Sequence, residues 1–257
     1  WGAMQRARIS YKTAPRAWEG RAVKCRVAIL SDIHFDTDGR DSSKRQFSRG
    51  KELFAEAVHF VNERISPDVV LVLGDLVDAG GTGEGLRCLR ELRPEADLIE
   101  APVLAIPGNH DPGPEAFYTV FEPLPRWLDV KGVRFVPFVD PEAPEYNAYR
   151  PAESLRRLEE ARAGFDGPVV SVQHVPLFQP GACSCPYNYT NALEILDMMR
   201  ATGVGCAISG HYHPGVEIAH AGGIVSIVNP ALCEEPFRFL EVTLTCGAVA
   251  VRGHALP

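Results

Sequence analysis

Five short motifs rich in acidic and histidine residues follow one another along this chain of 257 residues. In order they are Asp32-Ile33-His34, Gly74-Asp75-Leu76-Val77-Asp78, Gly108-Asn109-His110-Asp111, Gln173-His174 and Gly210-His211-Tyr212-His213. Carboxylate, imidazole and amide groups suit borderline or hard divalent cations such as Mn²⁺, Fe²⁺ or Zn²⁺. No cysteine falls inside the motifs, so an iron–sulfur cluster and a structural zinc site find no support there. Together the motifs predict the ligand set of a two-metal hydrolase.

Each motif follows a short run of β-branched or aliphatic residues, at 27–30, 69–73, 103–106, 169–172 and 206–208. Continuous apolar runs of this length are typical of strands that are buried on both faces. Ligands of open α/β sheets bind beyond the carboxyl ends of such strands. The sequence therefore predicts that five strands carry the motif residues to one edge.

Helical and strand patterns surround these runs. Apolar residues recur at helical spacing over residues 53–61 and 193–199, and Asn191 is expected to cap the second helix. Beyond residue 215 the pattern turns to strands, which predicts a pair of mixed sheets flanked by helices. The glycine-rich residues 80–85 lack the Gly-Lys-(Ser/Thr) ending of a phosphate-binding loop, so they predict a flexible loop.

The five motifs resemble the signature of the calcineurin-like metallophosphoesterase superfamily. That signature runs Asp-x-His, Gly-Asp-x-x-Asp, Gly-Asn-His-(Asp/Glu), His and Gly-His-x-His, and every part is present between residues 32 and 213. The motif spacing is similar to that of the compact branch with class III cyclic-nucleotide phosphodiesterases. The resemblance implies an α/β fold in which two mixed β-sheets pack as a sandwich flanked by α-helices.

The resemblance also implies seven metal ligands. They are Asp32, His34 and His213 for one divalent ion, Asn109, His174 and His211 for the other, and Asp75 as the bridge between them. A carboxylate suits the bridging position because it can hold two cations roughly 3.5–4 Å apart while offsetting their repulsion. The implied cofactors are two divalent metal ions, Mn²⁺, Fe²⁺/Fe³⁺ or Zn²⁺.

Three further residues are expected to support catalysis without binding metal. The resemblance places His110 beside the phosphate, where it would stabilise the oxyanion or protonate the leaving alkoxide. Asp111 is expected to orient His110 through the other ring nitrogen. Asp78 is expected to hold a metal ligand in place, and a helix cap or a surface turn is the alternative interpretation.

The expected mechanism is in-line attack on phosphorus by a metal-bound hydroxide, since two cations that share a water lower its pKa. The sequence has no Gly-x-Ser-x-Gly elbow that would supply a nucleophilic side chain. The leading expectation is a phosphodiesterase acting on a nucleotide-like small molecule. A phosphomonoesterase or protein phosphatase, and a catalytically silent scaffold of the same fold, are the alternatives.

Length and composition bound the rest of the interpretation. With 46% hydrophobic residues the chain can bury a large core, and residues 26–257 are interpreted as a single metallophosphoesterase domain. Residues 1–25 are interpreted as an N-terminal leader, with residues 1–3 as a tag remnant. No apolar run is long enough for a signal peptide or a membrane span, which favours a cytoplasmic protein. The net charge of −7 gives no general attraction to nucleic acid, so no stable nucleic-acid partner is expected. The small phosphoester that is expected as partner follows from the family resemblance.

Each of two loops near the motifs allows two interpretations. The loop at residues 35–49 either meets a phosphate or is a solvated surface of mixed charge, and its basic residues are Arg40, Lys44, Arg45 and Arg49. Cys183 and Cys185 form either a redox-sensitive or metal-binding lip or two ordinary thiols. Seven cysteines, an odd number spread along the chain, predict no disulfide framework.

Overall fold

The computed structural model of the protein describes residues 9–11, 23–39, 41–42, 44–246 and 248–257. Most of the expected leader, the tag remnant at residues 1–3 and the side chain of Arg40 therefore lie outside the described residues. Within the leader, residues 9–11 form a strand that pairs with the last strand of the chain.

The described residues form fourteen β-strands and five α-helices. The strands are β1 (Ile9–Tyr11), β2 (Lys24–Leu30), β3 (Val69–Val72), β4 (Val103–Ala105), β5 (Leu128–Val130), β6 (Val133–Pro137), β7 (Glu142–Ala143), β8 (Asn147–Ala148), β9 (Val169–Val172), β10 (Cys206–Ser209), β11 (Val216–Ala221), β12 (Ile224–Val228), β13 (Arg238–Thr245) and β14 (Ala248–Ala255). The helices are α1 (Gly50–Phe60), α2 (Gly83–Ala96), α3 (Pro114–Phe117), α4 (Ala152–Arg162) and α5 (Ala192–Thr202). A π-helical turn, Val61–Ile65, continues α1, and a 3-10 turn, Pro144–Tyr146, separates β7 from β8.

The strands form two six-stranded sheets and a small hairpin. The first sheet has the order β1–β14–β13–β2–β3–β4, the second has the order β11–β12–β10–β9–β6–β5, and β7 pairs with β8. In the first sheet β2, β3 and β4 run parallel. In the second sheet β6, β9, β10 and β12 run parallel. Both sheets are mixed, because β1, β14 and β13 join the first sheet by antiparallel pairing and β11 and β5 join the second in the same way.

The apolar runs form central strands because both of their faces are covered. In β2, Val27 and Ile29 lie in the core between the two sheets, whereas Ala28 and Leu30 face the outer side. Helices α1 and α2 cover the outer face of the first sheet, and α4 and α5 cover that of the second. Full burial contributes about 1.5–3 kcal/mol for each Val, Leu or Ile side chain. These layers form the expected α/β sandwich flanked by helices.

The five strands that precede the motifs lie in two sheets, so the prediction of a single edge was wrong. Strands β2, β3 and β4 belong to the first sheet, and β9 and β10 belong to the second. An apolar run shows that a strand is buried on both faces but does not identify its neighbour. The carboxyl ends of the two sheets nevertheless meet, because the backbone N–H of His211 donates to the Asp32 carboxylate at 3.0 Å.

Two local predictions also differ from the structure. Residues 80–85 are not one flexible loop, because the side-chain oxygen of Thr82 accepts a hydrogen bond from the Gly85 N–H at 3.1 Å and caps α2. Asn191 precedes α5 as predicted, but its side chain makes no cap hydrogen bond. Its amide oxygen accepts from the backbone N–H of Arg150 instead.

Among the described residues, no helix combines the length and the apolar composition that crossing a bilayer requires.

Candidate metal centre

Several residues of the motifs adopt a left-handed backbone conformation, which is uncommon outside glycine. They are Asp32 (φ 55°), His34 (φ 48°), Asp75 (φ 51°) and His211 (φ 68°). Such conformations cost about 1–3 kcal/mol each and persist only where surrounding contacts hold them. Here Asp32 N–H donates to the Gly74 carbonyl at 3.0 Å, and His34 N–H donates to the Asp75 carbonyl at 2.9 Å. The loops that follow β2 and β3 therefore hold each other's ligands in place.

The first donor cluster consists of Asp32, His34 and His213. The candidate ligand atoms of these residues all lie within 4.8 Å of one another. His34 Nε2 is 3.2 Å from His213 Nε2, and His213 Nε2 is 3.8 Å from an Asp32 oxygen. Strand β2 supplies two of the three groups and β10 supplies the third, so the cluster spans both sheets.

The second donor cluster consists of Asp75, His174 and His211, again with candidate ligand atoms within 4.8 Å of one another. His174 Nε2 lies 3.1 Å from His211 Nδ1 and 3.2 Å from the amide oxygen of Asn109. Asn109 therefore joins this cluster. The structure thus brings together all the residues that were expected to bind metal.

Asp75 lies between the two clusters. Its Oδ2 is 3.3 Å from His174 Nε2 in the second cluster and 3.6 Å from His34 Nε2 in the first. Its Oδ1 accepts a hydrogen bond from the His110 backbone N–H at 2.8 Å. One carboxylate oxygen thus faces both clusters, which is the position that a bridging ligand requires.

Carboxylates orient the two histidines of the first cluster. His34 Nδ1 is 3.0 Å from an Asp78 oxygen, and His213 Nδ1 is 2.6 Å from a Glu234 oxygen. Such a contact fixes the protonated nitrogen and leaves the other nitrogen available to a cation. Both Nε2 atoms therefore face the same point.

Backbone carbonyls orient the two histidines of the second cluster. His174 Nδ1 lies 2.6 Å from the Leu73 carbonyl oxygen, and His211 Nε2 lies 3.0 Å from the Tyr146 carbonyl oxygen. Because a carbonyl only accepts, the nitrogen that faces it carries the proton. The available nitrogens are therefore His174 Nε2 and His211 Nδ1, which are the two atoms that lie close together.

His110 lies beside these clusters with 35% of its side chain exposed. Its Nδ1 is 3.0 Å from the Asp78 carbonyl oxygen and 3.4 Å from the Asp78 carboxylate. The expectation that Asp111 orients His110 was wrong, because both Asp111 oxygens are used elsewhere. They accept backbone hydrogen bonds at 2.8–3.1 Å from Leu76, Val77 and Gly108. Asp78 orients His110, and Asp111 ties together the loops after β3 and β4.

The buried acids and histidines change one another's proton affinity. Burial would raise the pKa of Asp75, but His174 and His34 hold that pKa well below its usual range. Burial lowers the pKa of His174, and the charges of Asp75 and Asp32 more than reverse this, to about 10. Burial and the charge of His174 lower the pKa of His211 to about 4. Because a cation binds neutral imidazole, it must displace the proton of His174.

A cavity of about 650 Å³ opens over the two clusters. Besides the metal-binding candidates and His110, its walls include Lys44, Arg45, Tyr146, Tyr187, Tyr212 and Glu234. The loop at residues 35–49 therefore places two cationic side chains at the site. Arg49 lies apart from them and pairs with Glu52 at 3.2 Å.

Three residues that hold the histidines were missed by the sequence interpretation, namely Glu234, Tyr146 and Leu73, and Leu73 acts through its backbone carbonyl. Glu234 lies 21 residues beyond His213 and outside every motif. Its one signal is that an acid directly follows the buried residues 231–233. Tyr146 acts through its backbone carbonyl, and no side-chain pattern reveals such a contact.

The thiols at Cys183 and Cys185 lie apart from both donor clusters. They pack against an apolar group that includes Phe178 and Tyr212. Burial raises the pKa of Cys185 to about 11, which disfavours the reactive thiolate. These contacts favour the interpretation as ordinary thiols.

Residues 25–215 match the calcineurin-like phosphoesterase family. The match covers most of the chain and includes all five motifs, so the chain belongs to this family. It is a metallophosphoesterase, an enzyme that hydrolyses phosphoester bonds. The family uses divalent metals, and the carboxylate, imidazole and amide donors gathered here fit such cations.

Individual relatives agree with this assignment. A probable cyclic nucleotide phosphodiesterase from Xenorhabdus bovienii is 23% identical over 236 residues, which cover 86% of this chain and 90% of that protein. A probable glycerophosphodiester phosphodiesterase from Arcobacter nitrofigilis is 32% identical over 85 residues, which cover 33% of this chain and only 29% of that protein. A dimetal phosphatase from Danio rerio has a similar crystal structure, with a TM-score of 0.75, 17% identity, and coverage of 91% and 97% of the two chains. The structural likeness confirms the predicted fold.

Proposed function

We propose that this chain is a dinuclear phosphodiesterase that acts on a nucleotide-like small molecule. The position of Asp75 between two donor clusters carries the proposal, because one of its oxygens lies 3.3 and 3.6 Å from ring nitrogens of the two clusters. The proposed ligands are Asp32, His34 and His213 for one cation, Asn109, His174 and His211 for the other, and Asp75 for both. Their burial and their fixed ring orientations support this division.

Two divalent cations held there would lower the pKa of a water molecule and bind phosphate oxygens. The chain's own residues supply the remaining functions. His110, which the Asp78 carbonyl and carboxylate orient, donates a proton to the leaving oxygen or a hydrogen bond to the developing oxyanion. Lys44 and Arg45 on the cavity wall attract the anionic substrate.

The preference for a diester is supported by three observations. A diester carries one negative charge fewer than a monoester, so it gains more from a proton donor such as His110. The open cavity of about 650 Å³ accommodates a group as large as a nucleoside. Two relatives are described as probable phosphodiesterases.

A phosphomonoesterase is the second candidate. Lys44 and Arg45 favour it, because two cationic side chains at the cavity would bind the additional charge of a monoester dianion. The proposed metals are Mn²⁺, Fe²⁺/Fe³⁺ or Zn²⁺. A cytoplasmic location is also proposed, which the seven free thiols of the chain support.

The test uses the protein stripped of metal and reloaded separately with Mn²⁺, Fe²⁺ or Zn²⁺. Elemental analysis should find two metal ions per chain, and Asp75→Asn should bind fewer and lose activity. On the Mn²⁺ form, kcat/KM should be higher for bis(p-nitrophenyl) phosphate than for p-nitrophenyl phosphate. A clear preference for the monoester would leave the family assignment intact and refute the phosphodiesterase proposal.

A further inference from the structure

A second cavity of about 400 Å³ adjoins the metal centre. Asn109 and Tyr146 line both cavities, and His174 lines the second. The second cavity therefore begins at two of the proposed ligands of one cation. A phosphoester held at the metal centre would have one of its substituents within reach of this space.

The wall chemistry of this second cavity is mainly apolar and rigid. Its walls include Pro107, Pro112, Pro141, Phe138, Val175 and Tyr189. Proline rings have a fixed backbone angle, and the exposed ring of Tyr146, which also lines this cavity, offers a flat face for stacking. Such walls suit a flat apolar group.

The charges around the second cavity exclude an anion. Asp140 and Glu142 line it, and none of its described lining residues is Lys or Arg. Arg150 lies behind this wall, where it is fully buried, bonded to Asp140 at 2.8 Å and stacked over Phe138. The second oxygen of Asp140 is buried and accepts no hydrogen bond from the described residues. With two acidic residues and no Lys or Arg in the lining, a neutral group fits this cavity better than one with a phosphate.

The two cavities divide at the turn between β7 and β8. Glu145 and Tyr146 both adopt left-handed conformations, with φ of 63° and 60°. The Tyr146 carbonyl is anchored on His211 Nε2 at 3.0 Å, and its side chain is 58% exposed. Strain of this kind is held by surrounding contacts and is concentrated at functional sites. The turn thus presents the Tyr146 ring where the two cavities meet.

His110 lines the first cavity and is absent from the described lining of the second. If His110 protonates the leaving oxygen, the leaving group must lie in the first cavity, near Lys44 and Arg45. The second cavity is then left for the other ester group of a diester. Hydrolysis adds the water oxygen to phosphorus, breaks the bond to the leaving oxygen and leaves that other ester bond intact.

We propose that the second cavity binds the ester group that remains on phosphorus, and that it selects a flat, uncharged aromatic group such as a nucleobase or an aryl ring. This proposal rests on the proposed phosphodiesterase function. It identifies Tyr146, whose exposed ring borders both cavities, as a specificity-determining residue. It also supplies a physical reason for a diester preference, because a monoester has no group to place there.

The test varies the retained group and keeps the leaving group constant. Methyl p-nitrophenyl phosphate and phenyl p-nitrophenyl phosphate are compared on the Mn²⁺-loaded protein, together with Gly113→Phe. A Cβ built at Gly113, which lines the cavity, meets no atom within 4 Å, so a phenylalanine there is expected to narrow the cavity. Gly81→Phe is the matched control, because Gly81 also faces open space and lines neither cavity.

The expected kcat/KM ratio of the phenyl to the methyl diester is about tenfold or more in the wild type and in Gly81→Phe. In Gly113→Phe the ratio should fall to about 2 or less, with metal content unchanged. Equal kcat/KM ratios in all three proteins would overturn the cavity proposal. Hydrolysis of both diesters would still support the proposed phosphodiesterase function in that case. A second measurement needs no turnover: titration calorimetry compares the binding affinity of phenylphosphonate with that of methylphosphonate. Tighter binding of phenylphosphonate, lost only in Gly113→Phe, supports the cavity even if neither diester is hydrolysed, and equal binding in all three proteins refutes it.

Discussion

At the scale of single residues, the proposed proton donor His110 and the proposed metal ligand His34 share one carboxylate, that of Asp78. Asp78 contacts His34 Nδ1 at 3.0 Å and His110 Nδ1 at 3.4 Å, and its carbonyl also faces His110. The pKa of Asp78 is lowered by its hydrogen bond to His34 and by the nearby charges of His34 and His110. Asp78 therefore stays ionised and fixes the orientation of both His34, a proposed metal ligand, and His110, the proposed proton donor.

Replacement of His110 separates metal binding from chemistry. His110→Ala is expected to keep both metal ions, since its ring is no proposed ligand, and to lose about 10²–10⁴ in kcat, the usual contribution of a general acid or base. Elemental analysis and steady-state kinetics with p-nitrophenyl diesters measure the two effects. Loss of metal in this variant would assign His110 to the metal-binding residues. Its ring lies close enough to His34 and Asp75 to share a cation with them.

Glu234 should affect metal affinity although it binds no metal in this arrangement. Its hydrogen bond to His213 Nδ1 at 2.6 Å keeps Nε2 available, and Arg45 pairs with the same carboxylate at 3.1 Å. Glu234→Gln is therefore expected to weaken metal binding about 10–100-fold, as is usual for the partners of metal-binding histidines. The neighbouring Glu235 is exposed, and Glu235→Gln is the control that should retain wild-type affinity. A competitive chelator titration measures both, and equal affinities would contradict the proposed contact.

At the scale of elements, close approach of loop backbones sets the distance between the ligands. A Cβ at Gly108 would lie 2.3 Å from Asp75 Oδ1 and 2.7 Å from the His174 ring. Glycine at this position lets the loop after β4 contact the carboxylate of Asp75, the proposed bridging ligand. Asp111 then bonds the same loop to the residues that follow β3.

Gly108→Ala is expected to destabilise the metal-free protein by about 1–3 kcal/mol, the usual cost of overpacking, and to lower its metal content. Gly113→Ala, in the same loop, should have little effect on stability because its added Cβ meets no atom within 4 Å. Urea unfolding of the two variants and the wild type gives the comparison. Similar urea midpoints for Gly108→Ala and Gly113→Ala would show that the loops accommodate the added Cβ at Gly108 without loss of stability, and would contradict the prediction.

At the scale of the whole molecule, metal binding and protonation compete at the junction of the two sheets. The pKa of His174 is raised to about 10, so this ring carries a proton near neutral pH in the metal-free protein. Its charge stabilises the metal-free fold fully below the unfolded value of 6.5, and this contribution is lost as pH rises towards 10. A divalent cation replaces that charge.

Metal uptake at pH 7 should therefore release at least one proton per chain, and the apparent affinity should rise with pH by up to about tenfold per unit for each proton released. Calorimetric titration with Mn²⁺ in two buffers of different ionisation enthalpy counts the protons. The observed binding enthalpies should differ between the buffers by the number of protons released multiplied by the difference in ionisation enthalpy. Identical enthalpies in both buffers would contradict the proton exchange.

The sequence by itself determined which residues gather at the centre and which strands carry them. The donor residues can be predicted from the sequence because metal binding restricts residue type. The motif strands can be predicted because burial on both faces requires continuous apolar runs. The motif order by itself also indicates the family. The helical pattern of residues 53–61 was readable for a similar reason, since one face of α1 must be apolar to cover the sheet.

Only the tertiary structure decided how these parts meet. It assigned β2, β3 and β4 to one sheet and β9 and β10 to the other, which no local pattern encodes because each apolar run is equally compatible with either neighbour. In the folded chain Asp78, and not Asp111, contacts His110, because backbone N–H groups from two loops occupy the Asp111 oxygens. Glu234 and the Tyr146 carbonyl also reach their histidines only through the folded chain. These contacts join loops that become neighbours only when the strands of a sheet pair, so no local sequence pattern encodes them.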